Sequence, residues 1–384
     1  VVLDHWIDGD GRATGEAASP VLPGELAYAT PNDACTPFEV EHEGYMGNYG
    51  DTVDRWYHRA AIVLRPRSRA FIARAKRDGL YALATVAETA RTDRTGAVAL
   101  ARQMLPHWKP NLVHGLPAEE VLGLALTGRL TEAVIATKIS PPHLVPGLVD
   151  EACEASLRRL RTDTIDLYQI HWPNHNVPIE DSLEALIKLR DAGKIRSIGV
   201  CNFGVNDLSS ALKSADIVTD QLPYNLLWRP IEVEISPQCL ENNVGLICYS
   251  PLAQGLLTGR YDSPDDVPDG LSRSRLFSND RPLANHGEDG CETETFDAIA
   301  SVMKIADRLG EHPAKIALSW VRSRPGITTL LVGARSPEEL DLNIPAFEYE
   351  LPDGIADELE AVTDPVKLKL GSNADMWNGD NRMR

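Results

Sequence analysis

The chain has 384 residues, 43% of them apolar and 24% charged, as expected of a protein that builds a hydrophobic core. That length admits one large domain or two of ordinary size, and no apolar run approaches the roughly 18 residues of a membrane span. A net charge of −18 argues against nonspecific nucleic-acid binding. Six scattered cysteines without a Cys-x-x-Cys pattern read as reduced thiols of a cytoplasmic protein, not as a disulfide framework or a metal site.

The chain starts Val1-Val2-Leu3, with no basic stretch ahead of an apolar one. This predicts no signal peptide and points to a fragment or a processed start. Residues 1–60 carry 11 acidic and 3 basic side chains, and residues 61–110 carry 10 basic and 3 acidic. An acidic loop region followed by a basic helical one fits this reversal. Ala61–Leu64 reads as a short strand stopped by Pro66, Ser68–Ala90 as helix interrupted at Gly79, and Gly96–Leu105 as helix ending at Pro106.

A regular alternation begins after residues 95–115. Apolar strands are predicted at Ala133–Thr137, Ile165–Ile170, Ile195–Val200, Ile217–Asp220, Val244–Tyr249 and Thr328–Val332. Helices are predicted between and after them, at 147–161, 180–192, 205–213, 232–242, 293–322 with a break near Gly310, and 337–343. Near-continuous apolar strands alternating with amphipathic helices imply parallel strands buried on both faces. Six βα units result, and the fold is either an eight-stranded α/β barrel of the TIM type or a doubly wound sheet.

The strand ends favour the barrel. Strand by strand they read Lys138, His171, Cys201-Asn202, Gln221 with Tyr224 beyond, Ser250-Pro251, and Gly333-Ala334-Arg335-Ser336. A lone Lys or His in such a place is more often structural. Six polar ends in succession aim at one rim, which is where a βα barrel gathers its functional residues. No Gly-x-Gly-x-x-Gly follows a strand and no phosphate-binding Gly-x-x-x-x-Gly-Lys-Ser/Thr occurs, so the doubly wound nucleotide folds lose their main signature.

The runs Val134-Ile135-Ala136-Thr137-Lys138, Ile165–Trp172 (IDLYQIHW), Gly193–Phe203 (GKIRSIGVCNF), Gln221–Asn225 (QLPYN), Tyr249–Gly259 (YSPLAQGLLTG) and Val332–Ser336 (VGARS) occur in this order. They resemble the aldo-keto reductases, from about residue 112 to the C-terminus. The resemblance implies reduction of aldehydes and ketones with NADPH, using a Tyr acid supported by Lys, Asp and His. It implies Lys138 as the cation that lowers the acid's pKa and His171 as the group orienting the carbonyl. Cys201, Asn202 and Gln221 are implied as partners of the nicotinamide carboxamide, and Tyr224 as the ring stacking on it. Ser250, Leu252 and Gly255 match the loop crossing the pyrophosphate, and Gly333 belongs to the last motif. Arg335 and Ser336 match the 2′-phosphate site, and Glu339 and Asn343 the adenine contacts. The implied partner is a small carbonyl substrate, with neither nucleic acid nor membrane.

The first two βα units of that family are not recognisable. Val113-His114-Gly115 followed by Glu119-Glu120-Val121-Leu122-Gly123 matches the family's stretch after its second strand. On that register His114 stands for the Tyr and Lys109 for the Asp. Imidazole titrates near neutrality, so His114 can serve as a substitute acid. The alternatives are a non-catalytic nucleotide-binding or interaction protein and a nonfunctional fusion product. Residues 36–70 resemble a segment following the core of bacterial 2-oxoglutarate and iron oxygenase-like proteins. No His-x-Asp/Glu occurs there, so no metal site is expected. The His286-Gly287-Glu288 triplet reads as chance. The expected organisation is an N-terminal segment, 1–110, and an incomplete reductase-like barrel, 111–384. The open edge of the barrel is expected to be covered by Ala61–Leu64 or by residues 26–30. The long stretch from Gly259 to Glu292 is the expected substrate-side loop.

Overall fold

The computed structural model describes residues 2–7, 38–39, 55–61, 118–127, 133–333 and 341–384. The helices expected at 68–90 and 96–105 lie outside the described residues. Strands β1 (Val2–Ile7), β2 (Phe38–Glu39) and β3 (Arg55–Ala61) are followed by six parallel ones. These are β4 (Ala136–Ile139), β5 (Ile165–Ile170), β6 (Ile195–Cys201), β7 (Ile217–Pro223), β8 (Gly245–Tyr249) and β9 (Ile327–Leu330). The sheet runs β2-β3-β1-β4-β5-β6-β7-β8-β9. Each of the six predicted parallel strands is present, in the predicted order, as the α/β barrel-type fold requires.

Helices α1 (Ala118–Ala125), α2 (Leu148–Leu160), α3 (Ile179–Asp191), α4 (Val205–Ser214) and α5 (Ile235–Glu241) are joined by α6 (Glu292–Leu309), α7 (Pro313–Ser323) and α8 (Ile355–Leu370). The predicted break near Gly310 is real. Gly310 takes φ +66°, and His312 then caps α7 by accepting from the Ala314 N–H at 3.2 Å, with Pro313 in the first turn.

Burial on two faces separates two apolar clusters. Tyr168, Ile170, Ile198, Val200, Leu246, Cys248 and Leu330 point outward into the large core shared with the helices. Ala136, Leu167, Ile247 and Leu331 form a small second cluster inside the barrel, with Val218 and Tyr249 against it. The interior is tight around Gly199. A Cβ there would lie 2.4 Å from Thr219 Oγ1 and 3.0 Å from both Gln169 Cγ and Leu167 Cδ1.

Two expectations change. The edge of β4 is met by β1, through the parallel pair Val2↔Ala136, and β1 in turn pairs antiparallel with β3. Ala61 of the expected Ala61–Leu64 strand ends β3, while residues 62–64 and 26–30 lie outside the described residues. The series also does not end at residue 343. Helix α8 follows and contains Pro365, which lacks an N–H for the helix ladder. In the turn before it, Thr363 Oγ1 donates to the carbonyls of Leu359 and Glu360, and Arg229 Nη1 donates to Glu360 O at 3.1 Å. Side chains thus supply hydrogen bonds around a residue that argues against a helix in sequence.

Gly199→Ala is expected to lower folding stability by about 1–3 kcal/mol in urea denaturation, because the added methyl overpacks the interior. Removing the opposing atoms with Thr219→Ala should recover part of that loss in the double variant.

Candidate functional site

The rim is built where each parallel strand runs out. Lys138 lies within the fully buried strand β4, paired in register with Gln169 of β5. The next residues close the corner: the His171 N–H donates to Ile139 O at 2.9 Å. Lys138 and His171 are both buried, at 5% and 7% exposure.

Asn202 joins four strand ends. Its Nδ2 donates to the His171 carbonyl at 3.1 Å, its N–H donates to Gln221 O at 3.0 Å, and its Oδ1 accepts from the Tyr249 hydroxyl at 2.9 Å. Its φ is +60°, a left-handed conformation that Asn tolerates better than most residues. Cys201 is paired in register with Gln221, and Gln169 Nε2 donates to Val200 O at 3.3 Å and to Cys201 Sγ at 3.4 Å. Three buried polar atoms in this zone have no hydrogen-bond partner: Gln169 Oε1, Thr219 Oγ1 and Gln221 Oε1.

After β8 the backbone bends sharply. Ser250, Ala253 and Gln254 take φ values of +52°, +49° and +56°, and Gly255 takes +98°. Left-handed backbone costs about 1–2 kcal/mol for an ordinary residue, so three within five positions mark stored strain. Asn225 Nδ2 holds the first of them by donating to Ser250 O at 2.9 Å. Ser250, Leu252 and Gly255 are half-buried, as is Gly333 beyond β9, and Asn343 is buried at the start of the turn Ile344–Phe347. His114, Arg335, Ser336 and Glu339 lie outside the described residues. The structure therefore brings Lys138, His171, Cys201, Asn202 and Gln221 to one rim, with the Ser250–Gly255 loop leaving the end of β8.

The profile of the Aldo/keto reductase family matches residues 114–364. The chain belongs to the aldo/keto reductase family. It is 34% identical over 238 residues to the aldo-keto reductase YhdN of Bacillus subtilis, covering 58% of this chain and 69% of that protein. Protein tas of Escherichia coli is 35% identical over 274 residues, covering 62% and 77%. Among solved structures, an aldo-keto reductase from Klebsiella pneumoniae in complex with NADPH aligns with a TM-score of 0.50 at 28% identity, covering 64% of this chain and 75% of that one. A glycerol dehydrogenase from Gluconobacter oxydans aligns at 0.54 and 30%, covering 67% and 78%. The likeness of residues 36–70 to iron oxygenase-like proteins is not borne out.

Within this aldo/keto reductase fold Tyr224 has a different place from the one expected. Its hydroxyl donates to Glu232 Oε1 at 2.7 Å, and its ring lies 5.4 Å from that of Trp320. It belongs to the outer core, and Tyr249 is the aromatic residue that reaches Asn202. Sequence reading passed over Tyr249 because it closes an apolar strand; its inward alternation with Ile247 was the available signal.

Tyr224 is tied into a buried ionic network. Arg229, with its side chain 3% exposed, donates to both Glu232 oxygens at 2.9 and 3.0 Å and to Asp364 at 2.8 Å. Lys367 of α8 donates to Glu232 at 2.7 Å, and the Arg229 guanidinium lies 5.6 Å from the Trp320 ring centroid. Burial opposes ionisation of Glu232, but hydrogen bonds from Arg229, Lys367 and Tyr224 outweigh it and hold the carboxyl below its usual range. Burial, and then the Glu232 charge, push the Tyr224 phenol far up, so it remains a proton donor to Glu232.

The long stretch after Gly259 is pinned by a second buried arginine. Arg275 donates to Glu288 at 2.7 Å and to the carbonyls of Asn373, Asp375 and Leu370 at 2.7, 3.2 and 3.3 Å. His286 bonds Ser274 O at 3.1 Å. The His286-Gly287-Glu288 triplet thus holds the loop.

The depressed Glu232 carboxyl contributes stability that is present above its unfolded value near 4.5 and is lost as pH falls through its folded value. In denaturant titrations Glu232→Gln is expected to be less stable than the unsubstituted protein at pH 7. The gap should narrow as the pH drops below about 4.5.

Proposed function

We propose that this protein is an NADPH-dependent oxidoreductase that reduces a small aldehyde or ketone, with residues 111–384 forming the reductase part and residues 1–110 an N-terminal segment of other origin whose strand β1 joins the same sheet. The observation that carries the reading is the single rim holding Lys138, His171, Asn202 and Gln221. The unpaired, buried Gln221 Oε1 is an acceptor suited to a primary amide donor, and the Asn202 amide beside it offers further polar atoms. These two residues, with Cys201 and Tyr249, would hold the nicotinamide end. The strained Ser250–Gly255 loop and the residues Gly333, Arg335, Ser336, Glu339 and Asn343 would hold the phosphates and adenosine. The dinucleotide supplies a hydride when bound.

The protein's own contribution is electrostatic. A carbonyl oxygen gains negative charge as it is reduced. Lys138 and His171 supply a cation and a hydrogen-bond donor fixed in advance by the β4–β5 corner, so no reorganisation is needed as the charge grows. His114 takes the position of the proton donor, and Lys109 that of its carboxylate neighbour. An imidazole there leaves the reductase with altered acid chemistry. A cytoplasmic setting fits the scattered thiols.

Quenching of tryptophan fluorescence by NADPH tests the cofactor, and saturation is expected. Absence of saturable quenching defeats the proposal. Lys138→Met is expected to reduce turnover of an aldehyde panel by about 10²–10³-fold while NADPH affinity changes by less than about threefold. His114→Tyr should raise turnover; an unchanged rate in a folded, cofactor-binding variant would show that residue 114 is not the acid.

A further inference from the structure

Residues 373–384 return from α8 to the rim. Asp375, fully buried, anchors them. Its carboxyl accepts from the Trp377 and Asn378 N–H groups at 3.0 and 3.2 Å, and from Arg382 Nε and Nη2 at 2.6 and 2.9 Å. Two side-by-side bonds fix the guanidinium plane. The Arg382 guanidinium carbon lies 4.1 Å from the ring centroid of Trp172, the residue directly after His171. Next along the tail, Met383 and Arg384 press on Gly204, two residues beyond Asn202. A Cβ on Gly204 would lie 2.5 Å from both the Met383 carbonyl carbon and Arg384 O. The φ of Gly204 is −85°, so the close approach, not the backbone conformation, requires a glycine here. Arg384 is held in both directions by Asp207 of α4. The Asp207 N–H donates to Arg384 O at 2.8 Å, and the Arg384 N–H donates to Asp207 Oδ2 at 2.7 Å.

These contacts close a ring around one corner of the rim. Asn202 Nδ2 donates to the His171 carbonyl, and Trp172 meets Arg382. Arg384 meets Asp207 and Gly204, and Gly204 leads back to Asn202. His175 Nε2 bonds Asp207 Oδ1 across the ring at 2.8 Å. Asn202 is also held by Gln221 and Tyr249, which the tail does not touch in any of these bonds. On the His171 side, the cation over the Trp172 ring comes from the tail itself. The tail therefore bears on His171 more than on Asn202.

We propose that residues 382–384 are a clasp on the rim, and that Arg382 is a positioning residue for His171, acting through Trp172. The proposal rests on the reductase reading, in which His171 meets the carbonyl oxygen. A cation over the indole face holds the ring by attraction to its π-electrons. Releasing the ring frees the residue before it, and a donor displaced by a fraction of an ångström loses much of its effect on a reacting oxygen.

The test compares Arg382→Met, Arg382→Lys, Gly204→Ala and the Arg382→Met/Gly204→Ala double variant with the unsubstituted protein. Gly204→Ala leaves every polar group in place and wedges the tail off with one methyl. Arg382→Met and Gly204→Ala are each expected to lower kcat/KM for an aldehyde panel about tenfold, while the NADPH Kd stays within about twofold. Arg382→Lys keeps a cation over the ring and should recover most of the rate. The double variant should lose no more than the worse single one, because both open the same clasp. Hydrogen exchange of residues 172–175 should quicken in Arg382→Met and in Gly204→Ala. Full activity in folded Arg382→Met overturns the proposal. So does a loss of NADPH affinity as large as the loss of turnover, and so do additive losses in the double variant. If Gly204→Ala does not fold, Arg382→Met and its recovery in Arg382→Lys decide the matter. An unsubstituted protein that turns over no aldehyde defeats the reductase reading itself. Hydrogen exchange then decides the clasp, and unchanged exchange of residues 172–175 in Arg382→Met overturns it.

Discussion

One asparagine holds the rim together. Asn202 sits where β6 ends, and through a backbone N–H and both ends of its amide it engages β5, β7 and β8. Parallel strands hydrogen-bond to their neighbours only along their length. Beyond their last residues nothing in the ladder fixes one end against another. Asn202 performs this at the cost of a left-handed backbone, and His171, Gln221 and Tyr249 are spaced accordingly.

The sheet makes this arrangement stable by burying both faces. Outward residues such as Val200, Leu246 and Cys248 join the helical core, while Ala136, Leu167, Ile247 and Leu331 fill the interior. The interior is small and tight, and Gly199 shows how tight, since Thr219 Oγ1 occupies the space a methyl would need. Polar atoms are admitted there at the level of Gln169 and Thr219, just below Cys201 and Gln221 of the rim. Farther out, Arg229 fastens α8 to the loop after β7 through Glu232, Asp364 and Lys367. A buried cation of this kind is secure only while all of its partners are present.

Much of the architecture was legible from periodicity. Continuous apolar runs located β5 and β6 to within a residue, because a strand buried on both faces has no alternation to obscure it. Lys138, His171, Cys201, Asn202 and Gln221 were legible for the same reason, as polar residues that interrupt apolar runs. Tyr249 was not, because a tyrosine closing an apolar strand reads as core until its hydroxyl is seen to reach Asn202. Tyr224 was misplaced because its sequence neighbours Gln221 and Asn225 belong to the rim, whereas its own side chain turns to Trp320 and Glu232. Helix α8 escaped because Pro365 is a helix breaker locally, and the donors around it come from residues distant in sequence.

The sequence by itself determined that six parallel strands alternate with helices, that their C-terminal ends carry an ordered set of polar residues, and that those residues resemble one enzyme family. Each of these is a local property of spacing and residue type. Only the tertiary structure decided which side chains meet. It put Tyr249 on Asn202, Tyr224 on Glu232, and Arg275 on the carbonyls at and just beyond the end of α8. The reason is that these contacts join residues far apart in the chain or on opposite faces of a strand. Strand register and the direction of each side chain settle them, and both are products of packing the whole sheet at once.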